Sequence, residues 1–412
     1  MFLRHQKRSE GLKVYICDSM MGTGKSSAAI NYMNDNKDKR FIYITPYISE
    51  TNRIAAACKS RRFCRPVPKS EGGKLANLHS LIAAGENIAS THALFARYTP
   101  KTMDLIKERG YTLIMDEVFC VMEDLKVSRA DVRLLFEANY IMLNGDKVVW
   151  LKPDYDGASF RKIKDMADQG VLYSHHKKFM FWNFPVEVFE SFNEIFVLTY
   201  MFKSQMQRYY FDIHGVEYEF IHTSLEDGKY VFSDKPGVVV DWAKIRSLVH
   251  VLDDEKMNDI GWDPTALCLK WYENATKNQM DRLRKNLRNF LQNKANARVL
   301  ERMWTAYKDY RGFLLRAGGK DAFLSFNTRA TNDYRDRFAV AYLVNVHLTP
   351  HFKTYFSFHK APVDEKKYAL SEMIQWVWRS AIRDGKEIYL YVPSRRMRTL
   401  FVNWLDKMVL EN

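Results

Sequence analysis

The sequence contains no apolar run of about 18 residues, the length that a membrane-spanning helix requires. We therefore expect no membrane partner for this chain of 412 residues. The opening stretch MFLRHQKRSEG has neither a long apolar core nor a small-residue cleavage site, so it lacks the pattern of a secretory signal. Together these absences favour a cytoplasmic protein.

Cysteine is scarce, and its placement excludes two common structural devices. The five cysteines are odd in number, scattered, and never spaced as C-x-x-C. Neither a disulfide framework nor a paired-cysteine metal site is therefore expected, and reduced thiols are the simpler interpretation. The five are Cys17, Cys58, Cys64, Cys120 and Cys268.

The sequence also has no repeats, low-complexity tracts or linkers rich in proline and glycine, so its composition marks no domain boundary. A chain of 412 residues nevertheless exceeds one typical hydrophobic core, and two domains are expected. Lysine and arginine number 63 against 49 acidic residues, which gives a formal net charge of +14. This modest excess is compatible with a polyanionic partner but does not require one.

A glycine turn between an apolar strand and a helix is the first pattern with chemical meaning. The stretch CDSMMGTGKSSAAINYM, residues 17–33, matches the phosphate-loop pattern G-x-x-x-x-G-K-[ST], except that Ser19 replaces the first glycine. Glycines let backbone N–H groups turn towards phosphate oxygens, Lys25 can reach the β- and γ-phosphates, and the Ser26 hydroxyl can bind Mg²⁺. A plain strand–turn–helix is the alternative. The candidate nucleotide-binding residues are Gly22, Thr23, Gly24, Lys25, Ser26 and Ser27.

A phosphate loop requires an acidic partner at the end of a neighbouring strand, and the segment YTLIMDEVF supplies one. Residues 112–115 are predicted to form the strand, and Asp116 and Glu117 follow at its tip. Asp116 would hold Mg²⁺, and Glu117 would orient and deprotonate the attacking water. An Asp-Glu pair at a strand end is common by itself, so the interpretation depends on its position after the phosphate loop.

The acidic pair is also where the chain resembles the superfamily 2 helicases, the DExD/H-box translocases. FIYITPYISETNRI, residues 41–54, and NIASTHALFAR, residues 87–97, are similar to the first two nucleic-acid contact motifs of that family. Hydroxyl and backbone N–H groups at strand ends suit phosphate contacts that ignore base sequence. Each segment alone also fits an ordinary strand end with a polar loop. The resemblance implies nucleic-acid contacts at Thr45, Pro46, Arg53, Ser90, Thr91 and His92.

Two later segments extend the resemblance into the rest of the chain. EIFVLTYMFKSQ ends a predicted strand at Thr199, and the resemblance implies that this hydroxyl bonds the acidic pair and couples it to the nucleic-acid path. A plain core strand is the equal alternative. FLSFNTRATNDYRDRFAVAYLVN carries a polar cluster in which the resemblance implies contacts by Arg329, Thr331 and Asn332. We predict that its last part, AVAYLVN, is helical.

The segment EMIQWVWRSAIRDGKEIYLYVPSRRMR is the sharpest signal in the C-terminal half. Gln375, Arg379 and Arg383 recur every four residues, which predicts one stripe of a helix. The family's sixth motif, Q-x-x-G-R-x-x-R, implies catalytic roles for these residues, with one arginine reaching the γ-phosphate. Trp378 replaces the glycine and the second arginine comes one residue late, so the choice of arginine stays open, with Arg383 preferred. A solvated basic helix face is the alternative.

The order of these motifs implies an α/β fold with two RecA-like lobes of parallel sheet, as in P-loop NTPases. We place lobe 1 at residues 1–205, with an inserted subdomain at about 125–190, and lobe 2 at residues 206–412, with a helical section at about 265–315. We also predict a hairpin through Gly215. The insertion is rich in lysine and aromatic residues, which could stack bases or wedge a duplex, although a solvated decoration is the favoured interpretation.

More narrowly, the chain resembles compact DEAD/DEAH-box helicase-like proteins of bacteriophages and mobile elements. This resemblance implies an ATP hydrolase that uses ATP and Mg²⁺ to move on nucleic acid, with single-stranded or forked DNA favoured over RNA. Phage DNA replication or recombination in the host cytoplasm, alongside replication proteins, is the implied setting. RNA is not excluded, and the oligomeric state stays open.

One alternative from a different class remains, a DNA-binding ATPase that acts as a loader, clamp or remodelling switch without unwinding strands. A packaging-type ATPase is disfavoured, because no cluster of nuclease acids follows Tyr200.

Overall fold

The computed structural model describes residues 12–68, 73–328 and 333–411. These residues form three sheets of eight, five and four strands, with helices packed between and around them. The strands are β1 (Lys13–Asp18), β2 (Arg40–Thr45), β3 (Phe63–Cys64), β4 (Asn87–Thr91), β5 (Tyr111–Asp116), β6 (Met122–Asp124), β7 (Ile141–Asn144), β8 (Lys147–Trp150), β9 (Leu172–His175), β10 (Phe179–Asn183), β11 (Glu194–Thr199), β12 (Glu219–Glu226), β13 (Lys229–Ser233), β14 (Val249–Val251), β15 (Arg302–Thr305), β16 (Ala339–Tyr342) and β17 (Ile388–Tyr391).

The helices connect these strands and cover both faces of the two parallel sheets. The α-helices are α1 (Lys25–Asp35), α2 (Ile48–Ala57), α3 (Gly73–Ala83), α4 (His92–Phe95), α5 (Pro100–Arg109), α6 (Arg129–Glu137), α7 (Arg161–Asp168), α8 (Val186–Phe189), α9 (Met206–Ile213), α10 (Trp242–Leu248), α11 (Glu255–Asn258), α12 (Leu269–Asn274), α13 (Lys277–Asn289), α14 (Arg311–Gly318), α15 (Pro350–Phe358), α16 (Glu365–Val377) and α17 (Arg395–Glu411). A π-helical turn, Phe290–Lys294, extends α13.

The first sheet defines lobe 1, and its strands lie in the order β13-β12-β1-β11-β5-β2-β4-β3. Every neighbouring pair is parallel except β12 with β13. Strands β2, β5 and β11 are buried on both faces, which explains their continuous apolar runs in the sequence. Because β1, β11 and β5 are adjacent and parallel, the loops that follow them emerge at one edge of the sheet.

Lobe 1 extends further along the chain than its predicted end at residue 205. Strand β12 pairs in parallel with β1, and β13 folds back on β12. The predicted boundary is therefore wrong, because the chain adds two edge strands to the first sheet before it enters lobe 2. The hairpin predicted through Gly215 is also wrong. Helix α9 occupies this region instead, and it buries Gln207, Tyr210 and Phe211 on one face.

The second sheet is antiparallel, in the order β6-β10-β9-β8-β7, and is here called the middle sheet. Residues of α6 and α7 share one buried apolar cluster with β7, β8, β9 and β10. Helix α15, which comes from the C-terminal half, packs on the sheet as well. Its Phe352 and Tyr355 rings lie 5.8 and 4.9 Å from the ring of Phe181 on β10.

The third sheet defines lobe 2 and is parallel throughout, in the order β14-β17-β16-β15. Val340 and Tyr342 of β16 face a cluster formed by α10, α16 and α17, while Ala339 and Ala341 face α13 and α14. The prediction of a helix at AVAYLVN is wrong. A strand buried on both faces shows no polar alternation, so its short apolar run cannot be told from a helix.

Candidate nucleotide site between the lobes

The predicted phosphate loop forms the turn between β1 and α1. Gly22 and Gly24 have φ of +91° and +85°, in the left-handed region that favours glycine. Helix α1 begins at Lys25 with no side-chain cap and no acidic residue in its first turn. Its first N–H groups have no intrahelical acceptor, and they lie at the positive end of the helix dipole. This helix start therefore suits an anionic ligand.

The ammonium group of Lys25 lies folded onto the loop. Its Nζ donates to the carbonyl oxygens of Ser19 at 2.5 Å and Met20 at 2.9 Å. Burial lowers the pKa of Lys25, and the negative charge of Glu117 is the strongest opposing influence. The lysine is thus within electrostatic reach of the acidic pair.

The acidic pair stands at the end of β5, in the centre of the first sheet. The Tyr43 hydroxyl donates to Oδ2 of Asp116 at 2.8 Å. Glu117 turns out of the strand with φ of +70°, and its N–H donates to the Leu198 carbonyl oxygen at 2.9 Å. Burial, and then the charge of Glu117, raise the pKa of Asp116 to about 6. A carboxylate such as Asp116, whose charge is disfavoured by its surroundings and by a neighbouring carboxylate, is stabilised by a bound cation.

Lobe 2 meets this acidic pair with arginine. Nη2 of Arg379 lies 3.3 Å from Oε1 of Glu117, and both side chains are buried. Burial, followed by the charges of Arg379 and Arg335, lowers the pKa of Arg383. Three guanidinium groups crowded in this way favour an anion between them.

The two predicted arginines reach the site, but not as a stripe on one helix. Helix α16 ends at Val377, Arg379 lies in the following turn, and Arg383 lies in a short 3₁₀ helix. The Ser380 hydroxyl donates to the Val377 carbonyl oxygen at 2.7 Å. That acceptor would otherwise serve the next turn of the helix, so the polar side chain helps to end it.

Both lobes line one cavity of 350 Å³, here called the phosphate-loop cavity. It brings together the helix start, the acidic pair and the arginines of lobe 2. The lining residues are Met21, Gly22, Gly24, Lys25, Ser26, Ser27, Glu50, Arg53, Asp116, Glu117, Tyr230, Arg335, Arg379 and Arg383.

This lining fits a nucleoside triphosphate with Mg²⁺. Phosphate oxygens have donors on both sides, from α1 and Lys25 in lobe 1 and from the arginines in lobe 2. Ser26 and Asp116, the two predicted metal ligands, line the same cavity. No group of three or more His, Cys, Asp or Glu residues in the described ranges could hold a metal ion alone. Mg²⁺ bound beside a nucleotide usually takes phosphate oxygens as ligands in addition to one or two protein groups.

Tyr230 of β13 closes the phosphate-loop cavity over Gly24. A Cβ atom at Gly24 would lie 2.2 Å from the tyrosine ring, so only glycine fits beneath it. The Tyr230 carbonyl oxygen accepts from Asn31 Nδ2 at 2.9 Å, and the Thr223 hydroxyl donates to the Thr23 carbonyl oxygen at 2.9 Å. Thr23 is buried beneath this hairpin and does not line the cavity, unlike the other predicted nucleotide-binding residues.

A second cavity between the lobes has a volume of 450 Å³ and is here called the interlobe groove. Pro46 and His92 of lobe 1 line it, with Asn327 and other residues from lobe 2. Thr45 and Ser90, at the ends of β2 and β4, are buried, and their hydroxyl oxygens have no hydrogen-bond partner among the described residues. The two predicted contact motifs thus converge on one region of the lobe interface.

Two predicted nucleic-acid or coupling residues lie elsewhere. Arg53 lines the phosphate-loop cavity, because α2 carries it back from the strand end, and its Nε donates to Glu50 at 2.7 Å. The Thr199 hydroxyl accepts from Gln205 Nε2 at 3.2 Å and does not bond the acidic pair. The Thr199 carbonyl oxygen instead accepts from the Ser19 N–H of the phosphate loop at 3.1 Å. Both assignments are corrected accordingly.

Gln375, predicted to be catalytic, does not line the phosphate-loop cavity. Its Nε2 donates across the lobe interface to the Tyr200 carbonyl oxygen at 3.3 Å. Its Oε1 is buried without a hydrogen-bond partner in the described part of the chain. Thr91 is half-buried at the end of β4. The predicted contacts of Arg329, Thr331 and Asn332 fall outside the described residues.

Sequence analysis did not predict four of the residues that line the phosphate-loop cavity, which are Met21, Glu50, Arg335 and Tyr230. Arg335 forms an ion pair with Asp384 beside the cavity. In the sequence it directly follows the polar cluster NDY, so its position next to a predicted contact segment could have identified it. Tyr230 gave no such signal, because an aromatic residue in a short alternating strand is typical of any sheet edge.

The strand order and this cavity define a P-loop protein with two RecA-like lobes. Among the described helices, none combines the length and apolarity needed to cross a bilayer.

The chain belongs to the YonV family. It is 36% identical over 408 residues to the SPbeta prophage-derived uncharacterized protein YonV of Bacillus subtilis (strain 168), with 96% of this chain and 99% of that protein covered. The family model described as the YonV middle domain matches residues 122–182, the range of the middle sheet. The model described as the YonV C-terminal Rossmann-like domain matches residues 243–405, which contain the sheet of lobe 2.

Two solved structures show weaker likeness over the whole chain. One, titled XPD_APO, aligns with a TM-score of 0.45 at 12% identity and covers 96% of this chain and 95% of its own. The other, the structure of S. tokodaii Xpd4, aligns with a TM-score of 0.43 at 10% identity and covers 96% and 94%. TM-scores below 0.5 do not define a shared fold, so the two-lobed architecture rests on the strand order itself.

Proposed function

We propose that the chain is an ATP-dependent nucleic-acid translocase or helicase that acts on DNA. The observation that carries this proposal is the phosphate-loop cavity, where the acidic pair after β5 in lobe 1 faces Arg379 of lobe 2 at 3.3 Å. A ligand bound by both lobes can draw them together, and loss of one of its groups can release them.

Lobe 1 would supply the binding and activating groups. Lys25 and the N–H groups of α1 would bind phosphate oxygens, and Ser26 with Asp116 would hold Mg²⁺. Bound Mg²⁺ would supply positive charge that neutralises the phosphates. Glu117 would orient the attacking water and accept its proton.

Lobe 2 would supply the charge that completes the site. Arg379 is already beside the proposed base, and Arg383 shares the cavity, so both are candidates for stabilising charge that spreads over the γ-phosphate in the transition state. Because these arginines belong to the opposite lobe, hydrolysis would depend on closure between the lobes.

The interlobe groove is the proposed path of the nucleic acid through the lobes. Polar groups of the two predicted contact motifs meet lobe 2 there, next to the residues that follow the acidic pair. Backbone contacts of this kind ignore base sequence, as a protein that moves along a strand requires. The prophage origin of the YonV relative favours phage DNA replication or recombination as the setting.

ATP turnover, measured alone and with single-stranded DNA, duplex DNA or RNA, tests this proposal. We expect turnover that needs Mg²⁺ and that single-stranded DNA stimulates most. Glu117→Gln is the matched control, because it keeps the side-chain shape and removes the proton acceptor. Equal turnover by the control would disprove the assignment of the base, and indifference to every polymer would disprove a nucleic-acid motor.

A strand-displacement assay on a forked duplex separates the proposal from its alternative. Displacement that requires ATP supports a helicase. Polymer-stimulated ATP hydrolysis without displacement would instead favour a DNA-binding ATPase that acts as a loader, clamp or switch.

A further inference from the structure

A third cavity lies on the middle sheet, on the other side of the start of α15 from the interlobe groove. It has a volume of 700 Å³ and opens between α6, the turn that joins β9 to β10, and the start of α15. A shallower cavity of 520 Å³ adjoins it along α15 and shares His175, His176 and Thr354 with it. The two together are here called the basic groove.

Four exposed cations line the larger cavity of the basic groove, beside apolar and aromatic side chains. Arg129 and Arg133 are one turn apart on α6, and Lys177 and Lys178 lie on the facing turn. Glu137 is the single carboxylate among the residues that line the larger cavity. None of the four cations forms an ion pair with a described carboxylate. Their charge is therefore available to a ligand.

The turn that carries the two lysines has an unusual backbone. His176 and Lys177 have φ of +50° and +57°, a left-handed conformation that ordinarily selects glycine or asparagine. The Lys178 N–H donates to the His175 carbonyl oxygen at 3.1 Å, which closes the turn. Strained positions of this kind tend to persist where the side chains have a use. Here the turn places Lys177, together with its neighbour Lys178, in the lining of the groove.

Aromatic rings form the floor and one end of the basic groove. The His351 ring is stacked on Phe179, with centroids 4.2 Å apart and an angle of 8° between the planes. Phe358, at the end of α15, is 58% exposed. Its ring contacts those of His175 and His176, at 5.0 and 5.1 Å. An exposed phenyl ring, held at one edge by two histidines, offers a flat apolar surface beside the cations.

We propose that the basic groove binds a single-stranded segment of nucleic acid, with Lys177, Lys178 and the α6 arginines on phosphates and Phe358 stacked on a base. This inference rests on the proposed function and extends it to a second contact outside the lobes. Cations that track a backbone, next to an exposed ring, are the combination that binds single strands without sequence preference. An acidic protein segment would use the cations but would gain nothing from a stacking platform.

Salt dependence of oligonucleotide binding tests the phosphate contacts. The probe is a fluorescent oligo(dT), and the variant is Lys177→Gln/Lys178→Gln in the full chain without nucleotide. Removing two contacts is expected to reduce the slope of log K against log[salt] by about 1.4. The matched control is Lys147→Gln/Lys152→Gln, which removes the same charge from exposed positions of the same domain that do not line the groove. Equal slopes for variant and control would overturn the proposal.

A second variant tests the stacking contact independently. Phe358→Ala is expected to weaken binding of oligo(dT) by about tenfold and to leave binding of an abasic oligonucleotide of equal length unchanged. Phe358→Trp should restore the affinity, and because the side chain is largely exposed, neither change should alter folding. Unchanged oligo(dT) affinity in Phe358→Ala would contradict the assignment to nucleic acid. Equally tight binding of poly-L-glutamate that Lys177→Gln/Lys178→Gln weakens and Phe358→Ala does not would contradict it as well.

The proposed ATP-dependent function and the proposed basic groove can be disproved separately. The oligonucleotide measurements need no ATP, so they report on the basic groove even if the chain proves not to hydrolyse ATP. Photo-crosslinking with 4-thiothymidine then locates the strand. Crosslinks to peptides of α6 or of the turn between β9 and β10 support the groove, because neither lines the interlobe groove, and crosslinks confined to the residues around the interlobe groove would overturn it.

Discussion

The phosphate-loop cavity and the basic groove are both rich in lysine and arginine, but the two regions use these cations differently. In the cavity, cations and carboxylates are interleaved, as in the contacts of Arg379 with Glu117 and of Arg53 with Glu50. In the groove, four exposed cations face a single carboxylate, Glu137.

Under the two proposals, this difference separates a catalytic site from an electrostatic binding surface. Paired and buried charges are held in fixed positions, and removing one partner leaves the other uncompensated. Exposed, unpaired charges instead neutralise phosphates, one after another, and their effect falls with salt. A single Lys or Arg substitution should therefore have very different consequences in the two regions.

The largest expected effect comes from the arginines of lobe 2. One of Arg379 and Arg383 is expected to contact the γ-phosphate. Replacing that arginine with alanine should lower kcat for ATP hydrolysis by about 10³-fold or more and leave ATP binding intact. Single-turnover hydrolysis and equilibrium binding, measured side by side, would identify that arginine. Normal kcat in both variants would contradict a catalytic role for the lobe 2 arginines, and the cavity would then not differ from an ordinary basic surface.

Glu117→Gln is expected to lower kcat by about 10²–10⁴-fold, because the amide cannot accept a proton from water. The glutamine side chain would keep the shape of Glu117 and its 3.3 Å contact with Arg379, but it would carry no negative charge. Multiple-turnover ATP hydrolysis measures the change. Glu137→Gln in the basic groove is the matched control, and a similar loss there would contradict the separation between the two regions.

A smaller effect is expected when the salt dependence of ligand binding is compared between the two regions. If four phosphates are bound in the basic groove, its affinity for single-stranded DNA should fall by about 50-fold between about 50 and 200 mM salt. ATP binding at the phosphate-loop cavity should change much less, because the cavity's cations already have acidic neighbours. Titrations of both ligands over one salt series provide the test, and parallel slopes would contradict the distinction.

The smallest expected effect concerns stability. Met20 of the phosphate loop is buried in the apolar cluster of lobe 2, so Met20→Ala should destabilise the chain by about 2–5 kcal/mol. Met20→Leu should cost less than about 1.5 kcal/mol. Lys178→Gln, an exposed change in the basic groove, should stay within about 0.5 kcal/mol. Urea unfolding compares the three, and an unaltered midpoint for Met20→Ala would show that the loop is not anchored in lobe 2.

The lobe 1 residues of the phosphate-loop cavity could be predicted because the chemistry proposed for them requires residues that are close in sequence. A glycine turn before a helix, and two acids after a buried strand, occupy short segments, and the parallel sheet brings their ends to one edge. The two arginines of lobe 2 were predicted from their spacing of four residues, although the helix that this spacing assumed ends at Val377, before either arginine. The hydrogen bond from the Ser380 hydroxyl to the Val377 carbonyl oxygen helps to end the helix, and the spacing of the arginines in the sequence does not reveal it.

The features that were missed depend on contacts between distant segments. β16 resembles a helix in sequence because burial on both faces removes the alternation that marks a strand. The lobe boundary moved because β12 finds its partner in β1, about 200 residues earlier in the chain. The basic groove depends on α15 packing against the middle sheet, and no local signal links these two segments.

Equilibrium binding of ATP to the wild-type chain and to Lys25→Ala tests most directly whether the cavity between the lobes holds the nucleotide. With Mg²⁺ present, we expect the wild-type chain to bind ATP and the variant to lose most of that affinity, while its binding of oligo(dT) is kept at the basic groove. Wild-type affinity for ATP in Lys25→Ala would place the nucleotide elsewhere and contradict the account of the two lobes.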